Sequence, residues 1–347
     1  MLETLLESPP AWLDASGLEA ACVVNARGSL TRNLAEFPFP QRANANELES
    51  IEQRVLDAMQ TAGLMDEGRY YPLADLTPPE LGMLSERQLF AQGGTNGFTG
   101  RGVFVHNDQS LSVQVNDSDH LRIRALASGL QLESTWERLN AVDDALGRGL
   151  EYAFDARWGY LTAALSTVGT AFQAWVLMHL PGITMAGGLR QLEESVTAKR
   201  HEIRGLLGPL HESPGDLFEL NNAVTLGRSE EEILYHLKQQ AIETIEEEKR
   251  SRELVLHEGT HGLEDRIGRA LGIARGARLL DLGEAMGLWS SLRLGLASGM
   301  LDGYTFKQLN EVLAAALPAH LEMRTEKPGD ERAQNMERAD HFRVSFS

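Results

Sequence analysis

The chain is short of cysteine, of positive charge and of long apolar runs, and each shortage excludes something. Cys22 is the only cysteine in 347 residues, so neither an intramolecular disulfide nor a cysteine metal cluster can form. Lysine and arginine number 32 against 50 aspartates and glutamates, for a formal charge of −18. Nucleic-acid and anionic-membrane surfaces need clustered positive charge, so neither is an expected partner. Such acidity suits solubility and a basic or arginine-bearing partner. The longest apolar stretch, AFQAWVLMHLP at 171–181, is about half a membrane span. The N-terminal MLETLLESPPAWLD is acidic and lacks the basic start and apolar run of a signal peptide. A cytoplasmic protein is expected.

A chain of this length has room for one large domain or two. Between about 20 and 235, strand and helix patterns alternate. AACVV (20–24), GVFVH (102–106) and SLSVQVN (110–116) read as strands, rich in β-branched residues with partial alternation. ANELESIEQRVLDAMQTAGL (45–64) reads as an amphipathic helix, with Leu48, Ile51, Val55, Met59 and Leu64 near helical spacing. TWERLNAVDDALGRGLEYAF (135–154) reads as another, ending near Gly159. The glycine-rich AQGGTNGFTGRG (91–102) reads as a flexible loop, a lid or an insertion. From Ser229, SEEEILYHLKQQAIETIEEEKRSRELVL opens with a serine cap and an acidic first turn, and helical periodicity then dominates to about 320. The C-terminal tail is polar and is expected to be partly disordered. The expected organisation is an α+β domain over 1–235, an all-helical domain over 236–325 and a polar tail over 326–347.

Four stretches, in order, resemble the ATP:guanidino phosphotransferases, most closely the bacterial protein-arginine kinases of the McsB type. They are RGSLTRNLAEFPFP (27–40), VNDSDHLRI (115–123), GYLTAALSTVGT with LMHLP (159–181), and IRGLLG with LFELNNAVTLGRSEEE (203–232). ARLLDLGEAMGLWSSLRLGLASGM (277–300) resembles the helical end of those kinases. The resemblance implies a large antiparallel sheet flanked by helices, followed by an all-helical dimerisation domain. It also implies transfer of the γ-phosphoryl of Mg-ATP to a guanidinium nitrogen. That reaction needs positive charge around the phosphates, a carboxylate to orient and deprotonate the guanidinium, and in-line positioning.

Position by position, the implied machinery is incomplete. Of the phosphate-clamp arginines, Arg27, Arg122 and Arg204 remain as the residues expected to touch ATP, while Ser29 and Gln173 stand where two others belong. Losing two charge-assisted hydrogen bonds costs ~3–6 kcal/mol, roughly 100- to 10,000-fold in affinity or rate. Trp175 replaces a small serine of the nucleotide pocket, and Gly94 aligns with a nucleotide-contacting histidine. The family's N-E-E-D reads Asn116, Asp117, Ser118, Asp119, so a serine replaces the glutamate that faces the guanidinium. Asp117 and Asp119 flank it, and strand alternation would turn both to the opposite face. Pro209 replaces the second glutamate, with Glu212 three residues on, and Ala164 replaces the thiol. Loss of a general base costs about 100- to 10,000-fold. Arg27, Arg122 and Arg204 have a second reading, as structural ion pairs with acidic neighbours.

The resemblance therefore points to a pseudokinase, a regulatory or scaffold protein that forms a homodimer. It implies partners in protein quality control: a Clp-type ATPase, an adaptor or an active arginine kinase. The alternative is an active guanidino kinase in which Asp117 or Glu212 supplies the base. Two further motifs stand in the C-terminal third. QNMERA (334–339) matches the kinases' phosphoarginine-binding pattern R-D-x-x-R-A only at Arg338 and Ala339, with Gln334 and Asn335 removing both charges. His257, Glu258 and His261 form H-E-x-x-H, a zinc-protease pattern that places two imidazoles on one helix face, with Glu284 as a third ligand. Leu256, Leu263, Ile267 and Ala274 define the apolar stripe of that helix, and the histidines lie about 100–140° away. A solvent-facing histidine pair is expected.

Overall fold

A computed structural model describes residues 2–91, 93, 97–325 and 329–347. Its strands are β1 (Val23–Arg32), β2 (Gly68–Pro72), β3 (Gly102–His106), β4 (Leu111–Val115), β5 (Leu121–Ser128), β6 (Phe154–Asp155), β7 (Gly159–Tyr160), β8 (Phe172–His179), β9 (His201–Gly205) and β10 (Leu217–Asn222). The helices are α1 (Glu3–Glu7), α2 (Ala45–Thr61), α3 (Pro78–Glu86), α4 (Leu132–Gly147), α5 (Pro181–Met185), α6 (Leu189–Ala198), α7 (Glu230–Gly276), α8 (Leu282–Ala297), α9 (Phe306–Ala315), α10 (Pro318–Glu322) and α11 (Glu331–Phe346). Eight strands form one sheet in the order β2-β3-β4-β5-β1-β8-β10-β9, with every neighbouring pair antiparallel. The expected antiparallel sheet flanked by helices, followed by a helical region, is what the chain forms.

Alternation along the strands divides the sheet into two unlike faces. Ala26 and Leu30 of β1, Ile123 of β5, Ala174 and Val176 of β8 and Leu220 of β10 enter one apolar core. Val55 and Met59 of α2, Leu139 and Leu146 of α4 and Leu237 of α7 cover it. Gly28 is needed there, because a Cβ would stand 2.5 Å from Leu139 Cδ1. The opposite face is apolar only in part. Val24, Leu126, Leu177 and Leu217 join Trp289 and Leu292 of α8 and Leu309 of α9 in a second core. Farther along the same strands that face turns polar.

Buried polar contacts bind the sheet to the helical end. His179 Nε2 donates to Ser290 Oγ at 2.9 Å, and Ser290 Oγ donates to Asp216 at 2.5 Å. Glu248 of α7 accepts the backbone N–H groups of Gly182 and Ile183 at 2.9 Å each, satisfying the first turn of α5. Fully buried Arg293 donates to Asn310, which donates to the Leu13 carbonyl.

Several local expectations need correction. α4 ends at Gly147, well before Gly159; the backbone then turns toward the β6–β7 hairpin. The drawn boundary at 235/236 falls inside α7, which begins with the expected serine cap and three glutamates and keeps helical angles as far as Gly259. The polar tail is not disordered where it is described: Asp330 caps α11, and Phe342 and Phe346 are buried in the second core. Its apolar residues are too few to show as a stripe, yet the aromatic pair anchors the helix. In the glycine-rich loop, residues 92 and 94–96, including Gly94, lie outside the described residues.

Two stability measurements follow. Phe342→Ala should cost ~3–5 kcal/mol in urea unfolding, as for a core aromatic; a change under ~1 kcal/mol would place α11 outside the cooperative core. His201, 3% exposed, has neither ring nitrogen hydrogen-bonded among the described residues. Burial, then Arg228, His236 and Lys199, lowers its pKa from 6.5 to about 4. The unfolded chain therefore binds the proton first. Stability should be full above pH 6.5 and decline as pH falls toward 4, and His201→Leu should flatten that decline.

Candidate functional site

The polar half of the second face forms the floor of a cavity of about 540 Å³. Alternation aims Arg27 and Ser29 from β1, Arg122 and Arg124 from β5, Gln173 and Trp175 from β8, Arg204 from β9 and Glu219 from β10 into it. Leu282 and Leu317 of the helical end close the far side. All three arginines named from the sequence, Arg27, Arg122 and Arg204, are thus brought together. The fourth, Arg124, sits two residues from Arg122, and the LRIR spacing was the signal for it.

Charges in the cavity are already engaged. Arg27 Nη2 lies 3.0 Å from Glu219 Oε1, and Arg204 Nη2 lies 2.6 Å from Glu219 Oε2. Arg27 also donates to Gln88 Oε1 at 3.0 Å, and its guanidinium carbon lies 4.5 Å from the centre of the Trp175 ring. That stack is worth ~0.5–2 kcal/mol. Burial lowers the Arg27 pKa, with Glu219 opposing and Arg204 adding to the effect. Arg124 donates to Gln114 Oε1 and the Leu89 carbonyl. Burial, then Arg122 and Arg27, pushes its pKa well below the usual value. Arg122 is the least committed, 3.8 Å from Asp117. Of the lining carboxylates, Glu86 accepts from Ala319 N and His320 N at the start of α10 and contacts His320 Nδ1 at 2.7 Å.

Residues 50–251 match the catalytic domain of the ATP:guanido phosphotransferases, and residues 260–347 match the C-terminal domain of the protein-arginine kinase McsB. A protein-arginine kinase of Symbiobacterium thermophilum is 34% identical, with 99% of each chain covered. The chain belongs to the protein-arginine kinase branch of the ATP:guanido phosphotransferases. Another such kinase, from Pelotomaculum thermopropionicum, is 35% identical over 92% of this chain and 90% of its own. Among solved structures, a lombricine kinase superposes with a TM-score of 0.58 at 25% identity, covering 72% of each chain. The duplicated taurocyamine kinase of Schistosoma mansoni, with bound transition-state-analogue components, gives a TM-score of 0.60 at 26% identity over 70% of this chain. This chain spans 35% of that duplicated protein.

In this chain, the stretch VNDSDHLRIR is not one strand. β4 ends at Val115, residues 116–120 form a turn, and β5 begins at Leu121. Asn116 adopts a left-handed φ of 52°. Strand alternation therefore does not govern Asp117 and Asp119, and both side chains are buried by the turn. Asp117 accepts from Arg101 at 3.1 Å. Asp119 accepts from Asn33 at 2.6 Å and from Ala163 N at 2.7 Å. His120 is structural: its Nδ1 accepts from Leu34 N at 2.9 Å, its Nε2 contacts the Pro38 carbonyl at 3.0 Å, and burial lowers its pKa. Ser118, Ala164, Pro209 and Glu212 do not line the cavity, and Glu212 is exposed.

The remaining motifs are placed as follows. Arg338 is 2% exposed and donates to the carbonyls of Leu280 and Ala316 and to Asn335 Oδ1, so its donors serve the fold. Gly259 breaks the helix of the H-E-x-x-H stretch with φ −153° and ψ 40°, which spoils the i, i+4 register of His257 and His261. The His261 side chain is fully exposed and contacts Glu264 at 3.1 Å; the Glu258 side chain lies outside those described.

The two arms of the Glu219 bridge should differ in stability. Arg27, 14% exposed, is the buried arm, and Arg27→Ala strips Glu219 Oε1 of its donor and should cost ~1–3 kcal/mol. Arg204 is 61% exposed, and Arg204→Ala should cost ~0–1 kcal/mol. Equal losses in chemical denaturation would contradict this division.

Proposed function

We propose that this protein is a non-catalytic member of the protein-arginine kinase branch, a pseudokinase that acts as a regulatory or scaffold component. One observation carries the reading. Among the described residues, the carboxylates lining the cavity, Glu86 and Glu219, are both engaged, Glu86 at the start of α10 and Glu219 between two arginines. Transfer of a phosphoryl group to a guanidinium requires a carboxylate that can hold that cation and take its proton. Asp117 and Asp119 are committed elsewhere, to Arg101 and to Asn33 with Ala163 N. The other lost positions, Ser29, Ser118, Ala164, Gln173 and Pro209, support the same reading.

Mg-ATP is the phosphoryl donor that family membership implies, and the residues present do not fit it. Of the three arginines that the resemblance assigns to its phosphates, Arg27 and Arg204 are held by Glu219, and Trp175 presents an indole where the resemblance implies a small hydroxyl side chain. The retained fold then serves as an interaction surface. Partners are a second copy of the chain or members of a protein quality-control system: a Clp-type ATPase, an adaptor or an active arginine kinase. No described helix is long and apolar enough to cross a membrane, and a cytoplasmic location is proposed.

Purified protein incubated with Mg-ATP and an arginine-rich protein substrate should yield no phosphoarginine by mass spectrometry under acid-free handling. An active protein-arginine kinase run in parallel supplies the positive control. Phosphoarginine above the no-enzyme background would overturn the proposal.

A further inference from the structure

The phosphate clamp of this cavity carries its own anion. Glu219 Oε1 lies 3.0 Å from Arg27 Nη2, while Oε2 accepts from Arg204 Nε at 3.0 Å and from Arg204 Nη2 at 2.6 Å. The Glu219 side chain is 5% exposed, so its carboxylate belongs to the cavity wall. Arg204 is directly opposite Glu219 in the β9–β10 ladder, whereas Arg27 reaches it from β1, with β8 between. One carboxylate thus joins guanidinium groups from widely separated parts of the chain. Arg27 has little left to offer, with Nη1 given to Gln88 and its guanidinium carbon over the Trp175 ring.

We propose that Glu219 sets the charge class of ligand that the cavity accepts, closing Arg27 and Arg204 on themselves and excluding polyphosphate anions. A tethered carboxylate occupies the clamp without the entropic cost of association, so a soluble anion has to displace it. An anion that enters also meets a like charge in a partly desolvated wall. An amide of the same shape removes that charge. It can accept from one arginine through its oxygen, but its NH₂ end opposes a donor with a donor, which frees the other guanidinium. The proposal deepens the reading of the cavity as a disused phosphate clamp and rests on it.

The test is titration calorimetry with inorganic pyrophosphate on folded wild-type protein, Glu219→Gln and Glu219→Met, each checked by circular dichroism. The two uncharged variants guard against one failing to fold. Expected are negligible heat for wild type and a gain of about tenfold or more in affinity for either folded variant. The gain should weaken with added salt and disappear when Arg27→Ala is combined with it. Unchanged affinity in the folded variants, or wild-type binding as tight as theirs, would overturn the proposal. Its failure is separable from failure of the pseudokinase reading. Phosphoarginine made by wild type sinks that reading, whereas an inert wild type whose Glu219 variants gain nothing sinks this inference alone.

Discussion

Alternation along β1, β5, β8 and β10 is the constraint on which the structure depends. Each strand sends one row of side chains into the core under α2, α4 and α7. The same alternation fixes where the other row points, and that row supplies Arg27, Arg122, Arg124, Trp175 and Glu219 to the cavity. A slip of one residue in β1 or β5 would exchange the rows and bury guanidinium groups in the apolar core, and a slip in β10 would bury the Glu219 carboxylate there. The positions around the cavity therefore stay geometrically defined while their chemistry changes. Ser29, Gln173 and Trp175, where the chain departs from the pattern of the resemblance, all fall on the cavity row.

The same geometry gives Arg27 and Arg204 an acidic partner within the fold. A buried ion pair contributes little net stability over an apolar replacement, but removal of one partner is costly. Arg27 and Glu219 hold each other in that sense. Arg32 does likewise elsewhere, paired with Asp143 at 2.6 Å and stacked 3.5 Å from the centre of the Tyr160 ring. The structural reading of Arg27 and Arg204 as partners of an acidic neighbour is what the geometry displays, and Glu219 is that neighbour.

Much of this was legible in the sequence. The order of the motifs led to the sheet and helical end, and Arg27, Arg122 and Arg204 do converge on one cavity. The absent groups were legible as well, because a missing thiol or carboxylate needs no coordinates. Harder to read were partners set by long-range pairing. Glu219 shows in LFELNN only as an acidic residue in an apolar strand, and its two arginines lie 192 and 15 residues away. The turn at 116–120 reads as strand because apolar, β-branched residues flank it on both sides. In α11, two buried aromatics outweigh a polar composition, and at Gly259 one backbone conformation undoes a motif that matches letter for letter.

In the proposed reading, the fold has been kept while the arginine cluster of the cavity has closed on Glu219. A crystal structure of the protein soaked with Mg-ADP, nitrate and arginine tests this most directly. The account predicts Glu219 still bridging Arg27 and Arg204, with no nucleotide density in the cavity. Nucleotide phosphates seated on Arg27 and Arg204, with the Glu219 carboxylate swung aside, would contradict it.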